Sequence, residues 1–316
     1  MRLAIVRLRA LVPILLFLTP GLPAAPHIPQ IAKDGLHQLY SGNTEAAIDT
    51  FRGMQRAEPR HPIGYLLEAN ARWWRIYCEA CEIKWNTIDA WKREEAPGDD
   101  EYFALCDNGI QLSELRLKRQ PVAEWHFYAG MGYALKARLH ALRDERRATA
   151  RAGVKAREHL LEAARLDPEL ADTNLGLGLY NYYVDSLSAF VKVLRFFMGI
   201  PGGSKKEGMR QLEIAIARGE YSPVEARFYL AKNLRNIEQQ YAQAIALLAP
   251  LAAEYPRNPM FHLMLGDFHA KLAHHAEAAA SYRATLQLIN GTNTPCATRL
   301  RQITTAALAA LPGGGR

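Results

Sequence analysis

Cysteine and histidine are the residues of this 316-residue chain with the widest chemical range, at four and ten copies. Cys78 and Cys81 form a CxxC pair, with Cys106 and Cys296 elsewhere. A redox dithiol needs a βαβ context, which the surrounding pattern lacks, and haem attachment needs His where Glu82 stands. Zinc needs four ligands, and there is no second CxxC. In an oxidising compartment four cysteines suit one or two disulfides, and Cys78 or Cys81 with Cys106 is the expected pairing. His262 and His269 share a helical face at i, i+7, but about 10 Å of axis separates them, too far to chelate one ion unaided. With His274 and His275 they read as solvated or groove-lining. The segment GIPGGSKKEG (Gly199 to Gly208) lacks the GxxxxGK[ST] spacing and follows an amphipathic helix rather than a strand, so its glycines read as a turn. HExxH, GxSxG and persuasively spaced paired carboxylates are missing from the sequence. The expectation is a protein without catalytic residues, metal or cofactor.

The elements carrying these residues are helical. Hydrophobic residues make up 49% and charged residues 22% of the chain. Ala, Leu, Arg and Glu dominate with few β-branched runs, which favours helix almost throughout. The N-terminus stands apart: MRLAIVRLR is a basic region, ALVPILLFL an apolar one, and TPGLPAAP a small-residue segment. This reads as a secretory signal peptide over residues 1–24, with an uncleaved anchor as the other reading. Losing Arg2, Arg7 and Arg9 with it would take the formal charge from +7 to +4. So mild a balance gives no case for nucleic acid.

Pro259 to Thr292 reads as helix, tight turn, helix, with Gly266 and Ala278 as small residues and Tyr282 filling the gap beside them. The unit resembles a tetratricopeptide repeat, whose pattern wants small residues at positions 8, 20 and 27, a bulky one at 24 and a breaker near 32. Gly266, Ala278, Tyr282 and Thr285 fall at positions 8, 20, 24 and 27. Ile28 to Arg60 repeats the pattern with Gly35, Ala47, Phe51 and Pro59. Later units carry Ala156, Leu160, Ala163 and Pro168, then Gly178 with Leu212, then Ala231, Ala244, Leu248 and Leu251. The reading is an all-α fold, an α-solenoid of about six TPR-like helix pairs over residues 28–292. Insertions fall at about 78–100, 140–152 and 184–206, and a capping helix and tail over 293–316.

Tetratricopeptide repeats line a concave face with fixed positions of their first helices. Carried onto this chain residue by residue, the resemblance implies a groove of Asn70, Trp73, His126, Tyr133, Tyr182, Tyr183, Phe228, Lys232, Arg235, Asn236 and Lys271. Such a surface suits an extended peptide, apolar side chains against the rings and carboxylates against Lys232 and Arg235. The other reading is that the insertions cover the groove and these aromatics are core.

The stretch from Asn174 to Ala231, with WWRI and YPRNPMF, is similar to exported bacterial tetratricopeptide proteins of unassigned activity. Within it, Leu187, Phe190, Val191, Leu194, Phe197 and Met198 make an apolar helical stripe. One reading is an interfacial helix placing Phe196, Phe197 and Met198 in a bilayer with Lys205 and Lys206 at headgroups. The other is a helix packed over the solenoid. The basic ridge from Lys136 to Arg157 reads as a solvated face. These features together point to a non-catalytic protein- or peptide-binding scaffold in the periplasm or cell envelope. The alternative is a membrane-associated adaptor docking through 184–206.

Overall fold

The protein is described by a computed structural model covering residues 30–90, 92–188, 192 and 199–312. The proposed signal peptide, and Phe196, Phe197 and Met198 of the proposed bilayer contact, lie outside the described residues.

Among the described residues thirteen α-helices follow one another in pairs. The first three pairs are α1 (Gln30–Tyr40) with α2 (Thr44–Ala57), α3 (Ile63–Ala80) with α4 (Asp99–Leu117), and α5 (Ala123–Leu142) with α6 (Arg146–Leu166). The next three are α7 (Thr173–Asp185) with α8 (Lys205–Arg218), α9 (Pro223–Asn233) with α10 (Tyr241–Glu254), and α11 (Pro259–Lys271) with α12 (His275–Leu288). A last helix, α13 (Pro295–Ala309), follows the sixth pair. Helices pack mainly on their sequence neighbours, as in an α-solenoid.

The spacing of small and bulky residues explains the pairing. An ideal Cβ on Gly35 would lie 2.4 Å from the Phe51 ring, and one on Gly266 would lie 2.5 Å from the Tyr282 ring. In both units the ring at position 24 therefore occupies the space vacated at position 8. Phe51 and Tyr282 are almost wholly buried as a result.

The array does not stay open. Asn258 donates from Nδ2 to the Tyr40 carbonyl at 2.9 Å, joining the turn after α10 to the end of α1. Tyr40 also meets Tyr255 and Trp74 edge-on, and Trp74 meets Phe261. The first pair thus touches the fifth and sixth. One continuous cluster of buried apolar residues runs from Ala32 to Leu300.

Two corrections follow. Cys78 bonds to Cys296, 218 residues away, while Cys81 and Cys106 are free and buried. Disulfide pairing with Cys106 is therefore replaced by a link between α3 and α13, and α13 packs on α12 of the last pair while also returning to the second pair. Within the 78–100 insertion, residues Cys81–Ile83 (β1) and Ile88–Ala90 (β2) form an antiparallel hairpin in a chain expected to be helical almost throughout. Its strands are in register Cys81 to Ala90, Glu82 to Asp89 and Ile83 to Ile88, closed by the Lys84 amide donating to the Thr87 carbonyl at 2.7 Å.

Gly35→Ala should gain about 1 kcal/mol of helix propensity but lose about 1–3 kcal/mol to overpacking against Phe51. A net fall in denaturation midpoint is expected. Gly53→Ala, whose new Cβ would meet nothing closer than Arg56 Nη2 at 3.8 Å, should raise it instead. Chemical denaturation of both variants checks the opposite signs.

Candidate functional site

The proposed groove residues divide into three groups. The first lies beneath the hairpin. Lys232, on α9, is 4% exposed and bonds both carboxylate oxygens of Asp89 on β2, at 2.9 and 3.0 Å. Its ammonium also lies 4.9, 5.6 and 5.9 Å from the Tyr229, Tyr77 and Tyr183 ring centroids, a partial aromatic cage. Burial disfavours the lysine charge, but Asp89 and the tyrosines Tyr183 and Tyr229 more than offset that, holding its pKa above the usual lysine value.

After α9 the chain takes a single π-helical turn, Leu234–Glu238, which carries the next two anchors. Arg235, fully buried, grips Asp267 of α11 through Nε at 2.6 Å and Nη2 at 2.9 Å, and Nη2 also donates to the Lys84 carbonyl at 3.1 Å. Asn236 holds the Ile88 backbone both ways: Oδ1 accepts from its amide at 3.0 Å and Nδ2 donates to its carbonyl at 3.1 Å. Arg299 of α13 donates to the Cys81 carbonyl at 2.8 Å from the far edge. Lys271 lies 4.2 Å from the Trp85 ring centroid, beneath the hairpin tip. The carboxylates expected from a peptide at Lys232 and Arg235 are thus the chain's own Asp89 and Asp267.

A second group is aromatic core. Trp73 donates from Nε1 to the Tyr229 hydroxyl at 3.0 Å, and Phe228 packs against Trp74, Tyr77 and Phe261. Asn70, 3% exposed, donates to Glu225, which pairs with Arg138. The cavity beside these groups measures about 50 Å³, room for a few waters and no cofactor. Tyr182 is buried with its hydroxyl on Glu238 at 2.8 Å, and half-exposed Tyr183 donates to Asn233 Oδ1 at 3.0 Å.

The third group faces its own partner helix. His126 Nδ1 meets His159 Nδ1 of α6 at 3.1 Å, and Tyr133 stacks on His159 while donating to Glu114 at 2.9 Å. Burial pushes both histidines below the usual value and lifts the Tyr133 phenol to about 12, the Glu114 bond adding to the latter. No group of three or more possible metal ligands occurs among the described residues. His269 and His274 pair in the same manner, with Nδ1 atoms 3.5 Å apart.

Of the proposed membrane contacts, Lys205 is tied down, its amide on Asp185 and its ammonium 3.1 Å from Glu238. Lys206 is exposed. No described helix is long and apolar enough to cross a membrane.

No protein-family model matches the chain, and no curated protein does. Solved structures do. A thermophilic TPR protein of Thermus thermophilus is 14% identical, with 89% of this chain and 98% of that one covered, at a TM-score of 0.33. Yeast Tom70 is 11% identical, with 88% of each chain covered, at 0.29. What makes this chain tetratricopeptide-like is its own packing, six consecutive helix pairs with the ring at position 24 seated on the small residue at position 8 in the first and the last.

Three residues that matter here escaped the sequence reading: Asp89, Ile88 and Trp85. Asp89 carried no signal of its pairing with Lys232. Asp267 did: with Arg235 it places opposite charges on inward positions of neighbouring units.

Asp89→Ala should cost about 3 kcal/mol, because it strands a buried cation, whereas Lys232→Met should cost about 1 kcal/mol or less, because Asp89 keeps access to water. Thermal unfolding of both variants checks the inequality. Both histidines titrate below their unfolded value, so the stability they contribute is present above pH ~6.5 and is lost as pH falls through their folded values. Replacing His126 and His159 with Asn should flatten that part of the stability profile between about pH 7 and pH 5.

Proposed function

We propose that this chain is a non-catalytic protein-interaction scaffold exported to the bacterial cell envelope, and that it meets its partner through the outer face of the hairpin. The observation that carries this reading is Trp85. It is 87% exposed at the tip of a hairpin whose base is fixed by Lys232, Asn236, Arg235 and Arg299 and stands beside the Cys78–Cys296 bond. A large exposed aromatic at the tip of a hairpin anchored at its base is the kind of group that dominates protein interfaces. Lys271 beneath it and Ile237, 39% exposed beside the Asn236 clamp, extend the surface with one cation and one apolar group. Export rests on the N-terminal basic, apolar and small-residue pattern, and fits a disulfide and the resemblance to exported tetratricopeptide proteins.

The reading of the chain as a membrane adaptor is favoured by Leu187, 39% exposed near the start of the 184–206 insertion. One experiment separates the two. A photo-reactive residue replaces Trp85, and crosslinks are collected from the envelope fraction. A dominant protein adduct, lost when the probe is moved to exposed Leu161 on α6, is expected. Lipid adducts alone, or none, would transfer the docking role to the insertion.

A further inference from the structure

We propose that His126 and His159 form a binding site for a divalent transition-metal ion, completed by Glu162. The site goes beyond the scaffold reading and does not depend on it.

The first ground is the distance between two nitrogens. His126 Nδ1 of α5 and His159 Nδ1 of α6 stand 3.1 Å apart. A zinc ion sits about 2.0–2.1 Å from an imidazole nitrogen, so nitrogens at this separation subtend about 100° at it. Neighbouring ligands subtend about 90° in a square plane and about 109° in a tetrahedron, and the pair falls between. The two rings are thus spaced as a clamp for one ion. They are 33 residues apart in sequence, so no motif of ligand spacing reveals them.

The second ground is what holds the rings. Tyr133 stacks on His159 with centroids 5.7 Å apart and planes 15° from parallel, and its hydroxyl is anchored on Glu114 at 2.9 Å. A support of this kind fixes the orientation of a ligating imidazole. Both histidines are half-buried, which leaves an ion a path from solvent. Contact through Nδ1 on both sides needs a proton on one of the two. The ion takes that position and the proton moves to Nε2 of the same ring, so both imidazoles ligate as neutral groups.

The third ground is a carboxylate free to join. Glu162 follows His159 by three residues and shares its face of α6. It accepts from Arg165 at 2.8 and 2.6 Å in an exposed pair, and pairs so placed contribute little. Turned toward the histidines, Glu162 makes the set two nitrogens and one oxygen, suited to zinc, nickel or copper with water in the remaining positions. Before that turn the chain presents two ligands, in keeping with the lack of any larger ligand group among the described residues. His269 and His274 meet in the same manner, but in the open and at 3.5 Å, where the nitrogens would subtend about 117°. That pair is the control.

The test uses the untagged full-length chain, stripped with a chelator, and Zn2+ or Cu2+ alone. Calorimetry should show one high-affinity Zn2+ per chain. His126→Asn and His159→Asn should each weaken it about tenfold or more, whereas His274→Asn should leave it unchanged. Glu162→Gln should weaken it and Arg165→Met, which releases Glu162, should tighten it. With one equivalent of Cu2+, electron paramagnetic resonance should show coupling to two imidazole nitrogens in the wild type and to one in either histidine variant. Zn2+ uptake that survives both His126→Asn and His159→Asn, or no uptake at all, would overturn the proposal and leave a hydrogen bond between two rings. An affinity indifferent to Glu162→Gln and Arg165→Met would overturn the assignment of Glu162. Should a histidine variant fail to fold, magnetic resonance of the wild type decides. Zn2+ must move the ring signals of His126 and His159 at lower concentration than those of His269 and His274, and the reverse order would sink the site. Crosslinking from position 85 is read without added metal, so the scaffold reading and this site can fail separately.

Discussion

A lysine with 4% of its surface exposed stays charged only if a carboxylate stands beside it. Lys232 obtains that carboxylate from Asp89, 143 residues earlier. Much of the middle of the structure follows from this need. Asp89 must be brought inward, so the chain after α3 turns into a hairpin that reaches α9. The hairpin has two edges with free backbone groups, and these too need partners in a buried place. Asn236 serves one edge at Ile88, while Arg299 and Arg235 serve carbonyls of Cys81 and Lys84. Arg299 lies on α13, so the last helix must return to the second pair, where Cys296 meets Cys78.

That return changes the kind of object the solenoid is. In a simple repeat array each unit touches only its neighbours, and stability is a sum of local terms. Here Tyr40 is bonded to Asn258, and a disulfide spans 218 residues. Loss of an end unit would expose the side of an inner one, so the first and sixth pairs should unfold together and not fray independently. The disulfide also constrains the unfolded chain most where the loop it closes is long.

The residues that set local packing were legible because each depends on partners a fixed distance away along the chain. Gly35 with Phe51 and Gly266 with Tyr282 share one offset, the span of a helix pair. The inward positions of Lys232, Arg235 and Asn236 were legible for the same reason. What met them was not. Asp89 and Ile88 lie in a segment of short strands with no apolar run, and CEIKWNTIDA carries only the alternation of Cys81, Ile83 and Ile88 around the loop that holds Trp85 and Asn86. The cysteine pairing failed for a related reason. Cys106 is near Cys78 and Cys81 in sequence, whereas proximity to Cys296 exists only because the array closes. His126 and Tyr133 were assigned to the groove by position, but α4 and α6 press on α5 closely enough to engage them first.

Closure of the array and retention of the hairpin draw on different contacts. Tyr40, Trp74, Phe228, Tyr255 and Phe261 interlock through aromatic edges and hold the first pair to the fifth and sixth without touching Asp89. The hairpin depends on Lys232 and Asn236, groups that grip one backbone residue and one carboxylate. The two sets meet only at Tyr77 and Tyr229, which serve as aromatic core on one side and as the lysine's cage on the other.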